Sequence, residues 1–155
     1  MIYSNRAARI TVLVLRVALG AVFVYAAWLK LPWHQPWQLF AGAIGDYKIL
    51  PDWAVIPLAR TLPWVELLLG LMLIAGVGKR IAAAGITLLL GVFFGLMVRA
   101  YVKGMEISCG CFGPGEIISW KTLLRDGSLL AVSAVVMWAV FANRKGAVSS
   151  KHTTP

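Results

Sequence analysis

Charged residues are scarce in this sequence. Lysine, arginine, aspartate and glutamate make up 14% of its 155 residues, whereas hydrophobic residues make up 60% and the mean hydropathy is +0.80. A typical soluble domain carries about 25% charged residues, because a short chain must cover itself with polar surface. Too little polar surface is present here for a water-soluble domain, and the sequence predicts a single integral membrane domain.

Several chemical motifs are missing as well. The chain has no P-loop, no zinc-protease motif and no nucleophile elbow, which argues against nucleotide, kinase and hydrolase chemistry. A zinc site needs four ligands, and only His34 and His152 are available as histidines to join two cysteines, so we predict no zinc centre. The net charge of +9 comes from single basic residues beside apolar runs. That pattern indicates membrane-flanking charge, and we expect no nucleic-acid partner.

Four apolar stretches are long enough to cross a bilayer as helices, which takes about 20 residues each. The predicted spans are residues 10–29, 57–77, 81–98 and 122–141. Together they predict an all-α, integral membrane four-helix bundle that forms one domain over residues 1–142. The polar residues 143–155 are predicted to be a disordered tail. The first apolar run is long and contains Arg16, so we expect a retained helix and not a cleaved signal peptide.

The basic residues predict the orientation of the bundle. Four spans place both termini and the turn between the second and third spans on one side of the membrane. Seven basic residues lie in short segments on that side: Arg6, Arg9, Lys79, Arg80, Arg144, Lys145 and Lys151. By the positive-inside rule both termini are cytoplasmic, and the loop of residues 103–121 faces the extracytoplasmic space of a bacterial inner membrane.

That loop contains the only two cysteines, Cys109 and Cys111. A disulfide between residues i and i+2 requires a tight backbone turn, because an extended pair exceeds the usual Cα separation of about 5.5–6 Å. Gly110 supplies the necessary backbone freedom. Such a bridge closes a very small loop and is a poor structural staple, whereas a strained bridge is easily reduced and suits thiol–disulfide exchange.

Two other interpretations of the cysteines remain open. They could form a local clasp without redox turnover. Alternatively, closely spaced thiolates suit a soft ion such as Cu(I), and Met105 is near in the sequence. Spacing and location place redox exchange ahead of the clasp, and the clasp ahead of copper.

The sequence resembles the MauE branch of the DoxX-like membrane proteins over about residues 10–142. The segment from Cys109 to Gly113, between the third and fourth spans, is the most specific part of the resemblance. The other matching features are the segment Arg16 to Gly20 followed by Lys30, the segment Leu62 to Glu66 followed by Gly70, and Ser119, Trp120, Arg125 and Asp126 at the start of the fourth span.

The resemblance implies a redox-associated inner-membrane protein. MauE proteins are linked to methylamine utilisation, where they help to produce the disulfide-rich small subunit of methylamine dehydrogenase. It also implies that Cys109 and Cys111 form the redox pair, with Gly110, Phe112 and Gly113 supporting them.

Ionisable residues inside the predicted spans are expected to pair within the bundle, because isolated charges are costly in a bilayer. Arg16 shares a helix face with Gly20, and Glu66 shares one with Gly70. These glycines allow neighbouring helices to approach closely. We therefore predict a buried Arg16–Glu66 pair, with a structural role favoured over a proton relay. A second pair, Arg99 with Asp126, is predicted beneath the cysteine loop.

The predicted mechanism is thiol–disulfide exchange with an extracytoplasmic thiol or disulfide protein, such as a thioredoxin-like protein. One cysteine pair does not make a self-sufficient oxidoreductase, so a second electron carrier is needed. The tryptophans near the outer boundary form an aromatic belt, and a quinone platform there is a less favoured alternative. A non-catalytic scaffold for a redox complex also remains open. Gly91 and Gly95 provide a packing face for the bundle or for a homo-oligomer.

Overall fold

The computed structural model describes residues 6–34, 36–112 and 116–149, with side chains described up to Ala142 in the last helix. The chain forms five helices: α1 (Arg6–Lys30), α2 (Trp37–Asp46), α3 (Asp52–Ala75), α4 (Lys79–Val102) and α5 (Trp120–Ser149). Helices α1, α3 and α4, together with Trp120–Ala142 of α5, are long and apolar enough to span a membrane. Backbone pairing between strands is limited, in these ranges, to one bridge joining Ser108 and Ile117. The predicted all-α membrane bundle is thereby supported.

The bundle has two chemically different ends. At the turn end, Gly76 and Gly78 adopt positive φ angles of 77° and 55° and reverse the chain between α3 and α4, as the sequence predicts. At the cysteine end, α1 and α4 finish, α3 and α5 begin, and residues 103–119 connect α4 to α5.

Two glycines hold α1 and α3 in close contact. A Cβ added to Gly20 would lie 2.8 Å from the carbonyl oxygen of Gly70, and one added to Gly70 would lie 2.9 Å from that of Gly20. Side chains of any size would push the backbones apart, so this crossing requires small residues. By contrast, added Cβ atoms at Gly91 and Gly95 would meet nothing within 4 Å. The glycine face of α4 therefore does not serve to pack this bundle.

Buried apolar side chains form three clusters. The first fills the turn end and includes Leu19, Leu73, Ile86 and Val136. The second joins α2 to the start of α3, and the third lies beneath the cysteine loop. The second consists of Phe40, Ile44, Val55, Ala59 and Leu62, and the third of Tyr47, Met97, Ala100, Cys109 and Ile118. Large apolar side chains such as Leu68, Leu88 and Leu124 are 59–69% exposed, as expected for a lipid-facing surface.

Three boundaries differ from the sequence-based expectation. Helix α3 begins at Asp52 after Pro51, so Pro57 lies within the helix and not in its first turn. Helix α5 continues to Ser149, into the segment predicted to be a disordered tail; residues 150–155 lie outside the described part of the chain. Helix α2 was not predicted, because its ten residues are too few to give a membrane-span signal.

Candidate redox site at the cysteine end

The cysteines lie on a pinched loop. The Cys109 amide donates a hydrogen bond to the Glu116 carbonyl (2.9 Å), and the Ile118 amide donates to the Ile107 carbonyl (3.1 Å). These bonds flank the Ser108–Ile117 bridge and bring the two arms of the loop together. The cysteines are thus fixed above the bundle by backbone pairing, before any side-chain chemistry is considered.

Gly110 gives the loop its conformation. Its φ angle is +68°, in the left-handed region that glycine adopts without steric cost. A Cβ at this position would also lie 3.4 Å from the Cβ of Ala43 and 3.5 Å from the Phe40 ring. The turn between the cysteines therefore packs against helix α2. Gly113, predicted to support the site, lies outside the described residues.

Both cysteines are free thiols. Cys109 is only 1% exposed, whereas Cys111 is half-buried. The Cys111 amide donates a hydrogen bond to Cys109 Sγ at 3.4 Å. A further hydrogen bond from the Cys111 thiol lowers the pKa of Cys109 to about 7, against the opposing effect of burial. Donating that bond, together with burial, raises the pKa of Cys111 well above its usual range. The pair is therefore divided into a thiolate-forming residue and a thiol that remains protonated.

A chain of charged groups leads from Cys109 to the start of α5. Cys109 Sγ lies 3.6 Å from Glu116 Oε2, and Arg125 Nη1 donates to the same carboxylate at 2.9 and 3.0 Å. Arg125 Nε donates to Asp126 Oδ1 at 2.9 Å. The Arg125 guanidinium also lies 4.4 Å from the centre of the Phe112 ring. Arg125 therefore ties the cysteine loop to α5 through both a carboxylate and an aromatic ring.

The predicted Arg16–Glu66 pair is wrong. Glu66 is paired with Lys30, whose Nζ donates to Oε1 and Oε2 at 2.8 and 2.9 Å. Both residues are buried, with exposures of 3% for Lys30 and 5% for Glu66. Arg16 instead lies at the turn end, where a Cβ on Gly76 would come within 3.2 Å of its guanidinium.

The reason lies in the direction of helical side chains, which lean toward the N-terminus of their own helix. Helices α1 and α3 are antiparallel and cross at Gly20 and Gly70. Glu66 therefore leans toward the cysteine end, where Lys30 leans back to meet it, whereas Arg16 leans toward the turn end. Relative to the glycine crossing, the axial offset between Arg16 and Glu66 is eight residues, or about 12 Å.

The predicted Arg99–Asp126 pair is also wrong. Asp126 is 3% exposed and accepts its hydrogen bond from Arg125, while Arg99 lies on an exposed surface of α4. Met97 is the large side chain of α4 that is fully buried here, next to the buried Ala100. Arg99 follows it by two positions, which is about 200° around the helix, so the two side chains point in nearly opposite directions.

An internal cavity of about 40 Å³ connects the charged residues with the cysteine loop. It is lined by the Lys30–Glu66 pair, by Asp126, and by Cys111 and Phe112. Apolar residues of α1, α4 and α5 complete its wall. The cavity therefore brings one of the two thiols and three ionisable groups to the same space inside the bundle.

Sequence reasoning gave no place in this site to two of its residues. Lys30 was named only as part of the family resemblance and lay just outside the first predicted span, although it continues the spacing of the buried residues Phe23, Ala26 and Ala27 on one face of α1. Met97 was not considered; its Sδ lies 3.8 Å from Cys111 Sγ, whereas Met105, the methionine named from the sequence, packs at the edge of the cluster beneath the loop. Of these two residues, only Lys30 could have been placed on the buried face of its helix in advance, from the helical period.

Comparison with known proteins identifies relatives along most of the chain. The family model described as "Methylamine utilisation protein MauE" matches residues 8–139. The methylamine utilization protein MauE of Paracoccus denitrificans is 32% identical over 125 residues, which cover 79% of this chain and 66% of that protein. The MauE protein of Paracoccus versutus is 34% identical over 143 residues, covering 90% and 75%, respectively.

A third relative, MauE of Methylorubrum extorquens, is 30% identical over 103 residues, which cover 64% of this chain and 55% of that protein. The matched part of this chain thus spans about two thirds or less of the P. denitrificans and M. extorquens proteins. No solved structure matches the chain. The family match covers the membrane helices and the cysteine loop together, and on this evidence the chain belongs to the MauE family of methylamine utilisation proteins.

Proposed function

We propose that this chain supports disulfide formation or thiol–disulfide exchange on extracytoplasmic partner proteins during methylamine utilisation. Cys109 and Cys111 form the redox pair in this proposal. The part in methylamine utilisation is inferred from the names of the relatives. The redox chemistry is inferred from the cysteine loop. It makes the chain a component of an electron-transfer route.

The observation that carries the proposal is the geometry of the pair: the turn at Gly110 brings the two cysteines together, and the Cys111 amide donates a hydrogen bond to Cys109 Sγ at 3.4 Å. A redox pair needs one sulfur that attacks as a thiolate and a second that resolves the mixed disulfide. Cys109, with a pKa lowered to about 7 by the hydrogen bond from Cys111, suits the first role. Cys111, which donates that bond, suits the second. A clasp without redox turnover would not require this division.

The exchange proceeds in two steps. The Cys109 thiolate attacks a disulfide of the partner, forming a mixed disulfide and releasing one partner thiolate. The Cys111 thiol then loses its proton and attacks Cys109 Sγ, which forms the Cys109–Cys111 disulfide and releases the second partner thiolate. The reverse sequence transfers the disulfide to a reduced partner. Glu116, 3.6 Å from Cys109 Sγ and partly exposed, lies where a proton can pass to solvent.

Access to the thiolate requires movement of the loop, because Cys109 is only 1% exposed. The loop is held to the bundle by the Arg125–Glu116 ion pair, the Arg125–Phe112 contact and the 3.4 Å hydrogen bond from the Tyr47 hydroxyl to the Cys109 carbonyl. A partner that displaces these contacts exposes Cys109. This dependence would restrict exchange to proteins that bind the loop.

The proposal places the cysteine end on the extracytoplasmic side of a bacterial inner membrane. The support is the distribution of basic residues, since Arg6, Arg9, Lys79 and Arg80 all lie at the turn end. A disulfide also persists on the oxidising side of that membrane.

The test is to trap the mixed disulfide. Reduced full-length protein in lipid nanodiscs is mixed with an oxidised thioredoxin-like domain, and complexes are resolved on a non-reducing gel. Cys111→Ser should accumulate the complex, because Cys109 attacks and nothing resolves it. Cys109→Ser should not. The assay is performed at alkaline pH, so that Cys109, with a pKa of about 7, is present as the thiolate.

The double serine variant provides the blank, and Ser128→Ala, on the exposed surface of α5, is the matched control that keeps both cysteines. Absence of a complex with every variant, combined with intact function of the double serine variant in methylamine-grown cells, would overturn the redox proposal. That outcome would favour the scaffold hypothesis.

Copper handling is a second candidate, favoured by one contact. Cys111 Sγ lies 3.8 Å from Met97 Sδ, and thiolate with thioether is a donor set that suits Cu(I). If the site binds copper, Cu(I) titrated against a chelator should bind to the wild type, and Met97→Leu should weaken that binding. Equal binding by wild type and the double serine variant would exclude this candidate.

A further inference from the structure

The cavity beside Cys111 adjoins a groove on the lipid-facing surface. The groove has a volume of about 410 Å³ and lies between α1 and α5. Val22, Phe112 and Leu129 line both the cavity and the groove. Ala21 and Tyr25 complete the wall of the groove on α1, and Arg125 lines it on α5. An apolar molecule that lies in the groove therefore contacts residues that also line the cavity beside Cys111.

The cavity carries an unpartnered polar atom. Asp126 lines the cavity and is 3% exposed, yet its Oδ2 has no hydrogen-bond partner among the described residues. A buried carboxylate oxygen without a partner is costly, and in a membrane such a group is usually functional. The Lys30–Glu66 pair lies in the same cavity. The polar groups are few and converge at one end of an apolar space, as in small-molecule sites.

We propose that this cavity and groove form the binding site of a quinone headgroup, which exchanges electrons with the Cys109–Cys111 pair. The inference rests on the proposed redox function and names its membrane-side partner. The groove accommodates the ring, against Phe112 and Leu129, and the 40 Å³ cavity accommodates a carbonyl oxygen near Asp126 and Lys30. The site lies apart from the tryptophan belt that the sequence suggested as a platform, because no tryptophan lines it.

The chemistry requires a carrier of this class. Oxidation of the two thiols forms one S–S bond and releases two electrons and two protons. A quinone accepts both electrons and both protons, becoming a quinol, so the reaction balances without another reactant. A lipid-soluble carrier also explains why the half-buried Cys111 faces a space inside the bundle, while Cys109 lies beside Glu116. The two sulfurs then serve two different partners.

The test uses the reduced full-length protein in nanodiscs with decylubiquinone. Loss of the ultraviolet absorbance of the oxidised quinone is followed together with disulfide formation, read by alkylation of the remaining thiols. Leu129→Trp fills the groove and should slow both signals about tenfold or more, by misplacing the ring. Leu124→Trp, five residues earlier on the same helix and 67% exposed, is the matched control and should react as the wild type does. Val22→Trp blocks the groove from α1 and should repeat the result of Leu129→Trp.

Exchange with a soluble disulfide is measured on the same samples. Retained exchange in Leu129→Trp and Val22→Trp shows that the blocked proteins are folded and that the quinone step alone is lost. Equal quinone reduction by blocked variants and control would overturn the inference, as would a wild type that exchanges with the soluble disulfide but does not reduce the quinone. If neither reaction occurs in the wild type, the proposed redox function itself fails. Crosslinking of an azidoquinone to Phe112 or Leu129 would then still show the binding site. Absence of that crosslink would overturn the proposed quinone site.

Discussion

The two ends of the bundle are stabilised by different forces. At the turn end, apolar residues such as Leu73 and Ile86 are fully buried, and the cations Arg6, Arg9 and Lys79 line an open groove without an acidic neighbour in that lining. At the cysteine end, buried charges are paired: Lys30 with Glu66, and Asp126 with Arg125. Among the described residues, charge pairing is thus found only at the end that carries the thiols. The groups that are costly to bury are therefore collected around the candidate chemistry of this protein.

Breaking the buried ion pair should give the largest effect. Lys30→Met leaves the Glu66 carboxylate buried without its partner, which should lower the free energy of unfolding by about 3–5 kcal/mol. The measurement is reversible unfolding of the detergent-solubilised protein. Lys30→Met combined with Glu66→Leu should recover most of the loss, because no charge then remains buried. Lys103→Met, on the exposed loop, is the matched control. If Lys30→Met alone were no less stable than the double variant, the pairing of Lys30 with Glu66 would be contradicted.

Overpacking the helix crossing should give the next largest effect. An added methyl group in Gly70→Ala meets the Gly20 carbonyl oxygen at 2.9 Å, and the backbones must separate. We expect a loss of about 1–3 kcal/mol in the same unfolding assay. Gly91→Ala makes the same change in open space on α4, and its effect should be below about 0.5 kcal/mol. Similar losses in both variants would show that the close approach of α1 and α3 is not what the glycines provide.

The spans and the glycine contacts could be predicted from the sequence, because each depends on local periodicity. Apolar runs of membrane length predicted the four spanning helices, and Gly76 and Gly78 predicted the turn between α3 and α4. Gly20 and Gly70 were expected to allow close approach, and they do so with each other. The family resemblance was confirmed by the match over residues 8–139.

The partners of the charges could not be predicted in this way. Arg16 and Lys30 share one face of α1, and helical spacing alone makes both eligible to meet Glu66. The choice depends on the register of α1 against α3 and on the lean of each side chain, which are properties of the assembled bundle. For Asp126, its own neighbour Arg125 was a nearer partner than Arg99. Helix α2, which supports Gly110, was missed because a short helix has no distinctive pattern.

The inequality of the thiols predicts a pH dependence at the cysteine end. Alkylation requires the thiolate, so the rate at Cys109 should rise through a midpoint near pH 7, set by its pKa of about 7. Cys111→Ala removes the side-chain hydrogen bond that favours the thiolate, and the midpoint should move to higher pH. The measurement is the pH profile of iodoacetamide labelling, with Cys109 located by mass spectrometry. An unchanged midpoint in Cys111→Ala would remove the basis for assigning the two roles.

The smallest expected effect concerns the carboxylate beside Cys109. The negative charge of Glu116 opposes formation of the thiolate and raises the pKa of Cys109. Glu116→Gln removes that charge, so the labelling midpoint should move slightly to lower pH. Glu106→Gln, on the same loop and without a described contact to the cysteines, should leave it in place. A shift to higher pH in Glu116→Gln would mean that the carboxylate assists the thiolate, contrary to this account.

The most direct test of the redox proposal is the state of Cys109 and Cys111 in living cells. Thiols are trapped in intact cells with a membrane-impermeant alkylating reagent, before and after the respiratory chain is blocked, and again after lysis. The account predicts a pair that is labelled from outside the membrane and changes between thiol and disulfide when respiration stops. A pair that stays in one state under both conditions would contradict the redox function, and labelling that appears only after lysis would contradict the proposed orientation.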